Sequence, residues 1–158
     1  MDTQDAGSID AIDHQLIAAL QRDGRATFDE LAQQVRLSAS AVLRRVRRLE
    51  QTGVITGYGA RVDAEKLGLA LTAFLSVRLE KLSAQHKATP MEQFKAALEV
   101  WPEVVECHAL TGEMDYLLRV QVRDMAHYSR FVLETLLRHP SVQDVKSSFV
   151  LARIKQAR

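Results

Sequence analysis

Cysteine is nearly missing from this sequence: Cys107 stands alone among 158 residues, which excludes an intramolecular disulfide framework. No apolar run reaches about 18 residues, so no transmembrane helix is expected. The first ten residues are acidic and polar, unlike a secretory leader. Net charge is almost absent as well. Lys plus Arg is 21, Asp plus Glu is 20, and the formal sum is +1, which excludes a histone-like polycation. The five histidines, at 14, 86, 108, 127 and 139, show no zinc-ligand spacing. Neither a glycine-rich phosphate loop nor a Ser/His/Asp nucleophile signature occurs. No metal, cofactor or catalytic residue is therefore expected, and Cys107 reads as a buried strand thiol. Hydrophobic residues make up 47% and charged ones 26%, the values of an ordinary globular chain, so compositional disorder is also excluded. These absences fit a soluble cytoplasmic protein with no membrane partner.

The charge that is present is unevenly placed. Residues 36–61 hold six arginines (36, 44, 45, 47, 48 and 61) against one acid, Glu50, a local sum of +5. The preceding residues are acidic and cancel it. All eight basic residues before position 62 are arginine.

Three short helices are predicted over the first 53 residues. The first opens at Asp10 with Asp13 as capping partner and carries Ile12, Leu16 and Leu20 on one stripe, until Asp23-Gly24 stops it. The second opens on the capping box Thr27-Phe28-Asp29-Glu30, with Leu31, Ala32 and Val35 inward. A four-residue turn over 36–39 leads to a third helix, capped by Ser38 and ended by Gly53. Val42, Val46 and Leu49 mark its buried side. Ser40, Arg44, Arg47 and Arg48 lie opposite, with Arg45 on a flank. Residue Ala41, rather than an acid, holds the third helical position, so no carboxylate repels a phosphate there. This is a helix-turn-helix pattern. It assigns Ser38, Ala39, Ser40, Arg44, Arg45, Arg47 and Arg48 to double-stranded DNA, Ser40 toward base edges and the arginines toward phosphates or guanine. Residues 54–62, rich in β-formers with Gly57 and Gly59, read as a short strand or wing.

Residues 63–70 form a polar connection, separating a 1–62 winged helix-turn-helix domain from a 71–158 domain. The second domain contains an approximate repeat. Ala73, Leu75, Val77 and Leu79 alternate with Thr72, Ser76 and Arg78. A helix opens at Thr89-Pro90-Met91-Glu92 and runs to Val100, Trp101-Pro102 breaks it, and a strand follows over 104–110. The pattern then recurs. Tyr116, Leu118, Val120 and Val122 alternate, a helix covers 125–137, His139-Pro140 breaks it, and a strand covers 142–151. Two such units make a ferredoxin-like βαββαβ sandwich, so the fold class is α+β. Its helices cover one sheet face only. Phe74 and Leu117 on the other face predict a dimer.

These motifs are similar to those of the Lrp/AsnC, or feast/famine, family of transcription regulators. The matching strings are Asp10-Ala11-Ile12-Asp13, Leu20-Gln21-Arg22-Asp23-Gly24-Arg25, Glu30-Leu31-Ala32 and Leu37-Ser38-Ala39-Ser40-Ala41-Val42. Further along come Arg45-Val46-Arg47-Arg48-Leu49-Glu50, Gly53-Val54-Ile55-Thr56-Gly57-Tyr58 and Leu110-Thr111-Gly112-Glu113-Met114-Asp115-Tyr116-Leu117-Leu118. The resemblance spans about Ile9 to Ile154. It implies a C-terminal domain for regulation of amino-acid metabolism, dimers that assemble further, commonly to octamers, and an amino-acid or related effector bound between adjoining dimers.

An amino-acid ligand needs an acceptor for its ammonium and N–H groups or a cation for its carboxylate. The loop around Leu110 and Thr111 offers both. Gly112 exposes backbone N–H groups, Asp115 suits the ammonium, and Met114 or Tyr116 suits the side chain. His108 precedes the loop, and the hydroxyls of Ser147 and Ser148 interrupt the last strand. The same residues also read as a plain hairpin turn, with Asp115 as its cap. Two other functions fit the architecture: a haem-pathway decarboxylase-like enzyme, which has no use for a basic helix, and a metabolite sensor that does not bind DNA.

Overall fold

The computed structural model describes residues 8–80 and 89–155. Two compact units divide between Arg61 and Val62, so residues 63–70 associate with the second unit.

In the first unit, α1 (Ala11–Arg22), α2 (Phe28–Val35) and α3 (Ala39–Gln51) start where the capping residues place them. Asp10 accepts from Asp13 N–H, and the Asp13 carboxylate accepts from Asp10 N–H, closing a capping box. Thr27 and Glu30 do the same for α2, while Ser38 accepts from Ala41 N–H for α3. Leu16, Ala19, Leu31, Ala32, Val35, Val42 and Val46 form the core, with Leu37 and Ile55 packed against it. The expected strand or wing over 54–62 is corrected: no strand forms there. A strand needs a neighbour to take its N–H and C=O groups, and this unit supplies none. The segment is held instead by Ile55 N–H donating to Leu49 O at 3.0 Å and by Tyr58 OH donating to Glu50 at 2.8 Å.

In the second unit, β1 (Leu71–Leu79), β2 (Val104–Ala109), β3 (Tyr116–Val122) and β4 (Val142–Phe149) form one antiparallel sheet in the order β2-β3-β1-β4. That order is the βαββαβ arrangement expected. Helix α4 (Pro90–Leu98) ends two residues before the expected Val100, and β2 and β4 stop at Ala109 and Phe149, short of 110 and 151. The second helix begins as α5 (Met125–Arg130) and widens to a π-helical turn over Phe131–Leu136, where Leu137 N–H reaches Val132 O five residues back.

One sheet face carries Ala73, Leu75, Val77, Leu118, Val120 and Val122 against Phe94, Tyr128, Phe131 and Leu136 of the helices. Burial of these side chains is the main stabilising contribution of the unit. The two proline-marked breaks meet over this core. Trp101 and His139 stack edge-on at 5.6 Å, and both contact Phe94.

Candidate nucleic-acid interface and ligand loop

Helix α3 separates its arginines by what lies beside them. Arg45 donates to Asp10 at 2.7 Å and to Asp13 at 2.9 Å, and Arg48 pairs with the other Asp13 oxygen. The Asp13 side chain is 0% exposed, whereas Arg45 and Arg48 are 27% and 36% exposed. A buried carboxylate without cations would be costly, so these two arginines clamp α1 to α3. The bond to Asp10, then that to Asp13, hold the Arg45 guanidinium even more firmly protonated than usual. The Asp10 carboxyl lies below its ordinary value, first because it accepts from Asp13 N–H and next because of Arg45.

Arg44 and Arg47 are exposed and make no ion pair among the described residues. Ser40 is exposed as well, its hydroxyl 3.1 Å from that of Ser38 at the helix start. Ala39 is half-buried against the core. Beside the exposed cap Ser38, the exposed residues of α3 are Ser40, Arg44 and Arg47, with Glu50 and Gln51 at its end. The sequence sets all four arginines toward DNA; folding engages Arg45 and Arg48 with Asp10 and Asp13. Their partners lie 32 and 35 residues away in sequence, beyond the reach of a helical wheel.

The second candidate region is the β2–β3 loop. Its ends are pinned by Leu110 N–H donating to Asp115 O at 2.8 Å and Asp115 N–H donating to Val77 O at 2.9 Å. Gly112 adopts φ 118°, a conformation that favours glycine. The Asp115 carboxylate accepts from Leu79 N–H at 2.7 Å, so it caps the end of β1 while its exposed edge stays available. Arg78 donates to the Glu113 carbonyl and carboxylate at 3.1 and 2.8 Å and lies 3.9 Å from the Met114 sulfur. Lys146 reaches the same carboxylate at 3.0 Å. These cations, Lys146 before Arg78, hold the Glu113 carboxyl below the ordinary carboxylate range. Arg78 of β1 and Lys146 of β4, meeting Glu113 of the loop, are polar groups that sequence reasoning missed. Only the strand pairing brings them together.

Leu110, Thr111 and Gly112 are exposed, and Met114 is half-buried. His108 lies on the sheet face away from the helices, opposite Leu117, with Glu106 3.7 Å away. Tyr116 does not point into the loop's surroundings. It is buried and stacks on Phe94 at 5.2 Å. Ser147 and Ser148 face opposite sides, since Ser147 pairs with Leu75 and Ser148 with Phe74. Ser147 is bound by Tyr128 OH on the helix side. Cys107 lies half-buried against the core, and burial pushes its thiol up. No cluster of three or more His, Cys, Asp or Glu able to hold a metal occurs among the described residues.

Comparison with known proteins matches residues 9–50 to the AsnC-type helix-turn-helix domain and residues 72–158 to the Lrp/AsnC ligand binding domain. The Bkd operon transcriptional regulator of Pseudomonas aeruginosa is 42% identical over 92% of this chain and 93% of its own. A leucine-responsive regulatory protein of Salmonella typhimurium is 39% identical over 94% of this chain and 88% of its own. Among solved structures, a transcriptional regulator from Neisseria meningitidis in complex with L-methionine superposes with a TM-score of 0.88 at 44% identity, covering 94% of each chain. A feast or famine regulatory protein from M. tuberculosis, also complexed with L-methionine, gives 0.80 at 33% identity, covering 96% of this chain and 97% of that one. The capped basic helix, the βαββαβ sheet and the matches across both units lead to one conclusion: the chain belongs to the Lrp/AsnC family of transcriptional regulators.

Proposed function

We propose that this regulator docks α3 in the major groove, with Ser40 toward base edges and Arg44 and Arg47 as its principal DNA cations. The observation that carries this reading is the division of the arginines: Arg45 and Arg48 are engaged with Asp10 and Asp13, and Arg44 and Arg47 are not. Ser38 and Ala39 shape the start of the helix. The exchange Arg44→Ala with Arg47→Ala is expected to weaken duplex binding and lower its salt slope by up to roughly 0.9 for each phosphate that is no longer neutralised. An unchanged slope across a salt series would remove α3 from the interface.

The effector is an amino acid with an apolar side chain, methionine being the first to test, because two similar regulators were solved with L-methionine. The loop at His108, Leu110, Thr111, Gly112, Met114 and Asp115 supplies polar and apolar groups for it. Tyr116 supports the loop from within the core, and Ser147 and Ser148 lie on the neighbouring strand. L-Methionine at about 100 times its dissociation constant adds roughly 2.7 kcal/mol of stability, visible as a thermal shift. Asp115→Asn keeps an acceptor for Leu79 N–H but removes the charge, so it is expected to abolish the shift while leaving effector-free DNA binding intact. A full shift in that variant would exclude Asp115.

The chain acts as a homodimer that assembles further, within the cytoplasm, with residues 63–70 joining its two functional parts. It serves as a regulator rather than an enzyme, in keeping with the regulators it is similar to. Among the described residues no helix is long and apolar enough to cross a membrane.

A further inference from the structure

Arg36 has the one positive φ among the described non-glycine residues, φ 55° and ψ 45° at the end of α2. An arginine is strained in that left-handed region, where glycine is not. The backbone requires the conformation. Arg36 N–H and Leu37 N–H both return to Ala32 O, the latter at 3.1 Å, and Leu37 then packs on the core. This reversal aims the chain into the Ser38 cap of α3. Glycine would make the same turn without strain, so the turn itself does not account for the arginine side chain.

That side chain is exposed and makes no hydrogen bond or ion pair among the described residues. No acid occurs from Leu31 to Leu49, and the one acid of α3, Glu50, lies at the far end of that helix and accepts from Tyr58 OH. Arg22, Arg45, Arg48, Arg78 and Arg119 all have acceptors. In the first unit Arg25, Arg36, Arg44 and Arg47 have none among the described residues, and of these Arg36 lies two residues before the cap of the helix read as groove-binding. A cation at a helix C-terminus also favours the helix dipole, which is a purely structural use for it.

We propose that Arg36 is a DNA-phosphate contact, placed at the turn to fix the register of α3 in the groove while α3 reads the bases. The inference rests on α3 being the groove helix. Phosphate contacts from flanking elements orient such helices and carry no sequence information themselves.

The test uses the full chain and a fluorescent duplex of mixed sequence, titrated at several salt concentrations. Arg36→Gly suits the backbone, so its melting temperature is expected to hold or rise. Its affinity is expected to fall, and its salt slope to drop by up to roughly 0.9. Arg36→Lys keeps the charge and is expected to keep the slope. A wild-type slope in Arg36→Gly overturns the proposal, and a lowered melting temperature beside that slope assigns the arginine to the helix dipole alone. Arg44→Ala is measured in parallel. If its slope falls while that of Arg36→Gly does not, only the Arg36 assignment fails. If neither falls, the reading of α3 fails with it.

Discussion

Asp13 is a carboxylate with no exposed side-chain surface, and it does two jobs. Its backbone N–H and carboxylate complete the α1 capping box, and its two oxygens receive Arg45 and Arg48 from α3. Removing one partner of such a group leaves the others partly buried without a counter-charge. For fully buried pairs the cost is about 3–5 kcal/mol, and the partial exposure of both arginines reduces it. Asp13→Ala is therefore expected to destabilise the first unit by about 2 kcal/mol. The single tryptophan, Trp101, lies in the second unit. Loss of helical circular dichroism at lower denaturant, with Trp101 fluorescence unmoved, is the expected signature. Coincident loss of both signals would show that the clamp is not local to the first unit.

Among the helices and their caps, the two units differ in how acid reaches them. Glu30 and Glu92 close capping boxes, and each is held below its ordinary 4.5 chiefly by a threonine N–H, with the hydroxyl second. Asp10 is held below 3.8. A lowered carboxyl contributes stability above its unfolded value and loses it as pH falls through the folded one. The first unit is thus expected to weaken only below about pH 4.5. His139 behaves differently. Burial lowers it from 6.5, so the fold prefers its neutral ring, and stability declines once pH drops below that value. Trp101 touches His139, so fluorescence-detected denaturation at pH 7 and pH 5.5 reads this directly. A weaker second unit at pH 5.5 is expected, with the difference removed in His139→Gln. Equal stability at both values would exclude His139 as the sensitive group.

At the scale of the whole molecule, the sheet has one face covered by helices and one that is not. Phe74, Ser76, Arg78, Leu117 and Arg119 line that second face, and Phe74 is 37% exposed. Arg119 pairs with Glu106 at 2.6 Å there. An apolar centre with a charged rim suits a symmetric interface, in which the same patch meets itself. Phe74→Glu with Leu117→Glu places four added carboxylates at such a contact. It is expected to lower the solution mass in sedimentation equilibrium while keeping the circular dichroism spectrum. An unaltered mass would place self-association elsewhere.

Local chemistry alone made most of the architecture legible. The caps at Asp10, Thr27, Ser38 and Thr89 mark helix starts because a side-chain acceptor three residues ahead of an N–H is a short-range feature. The strand at Tyr116–Val122 is read correctly because alternation is local too. The motif at 110–118 points to the candidate ligand loop. What periodicity could not show depends on residues distant in sequence. Whether Arg45 and Arg48 are free was decided by Asp10 and Asp13 across the helix pair. The sheet register separated Ser147 from Ser148, and burial against Phe94 turned Tyr116 inward. Residues 54–62 have the composition of a strand but no neighbour to pair with in their unit. Capping and alternation act within a few residues, so most elements and their order could be read from the chain alone, and the motif strings carried the resemblance to the family. Which charged side chains remain available is a tertiary outcome, because it depends on the opposite charges that folding brings beside them.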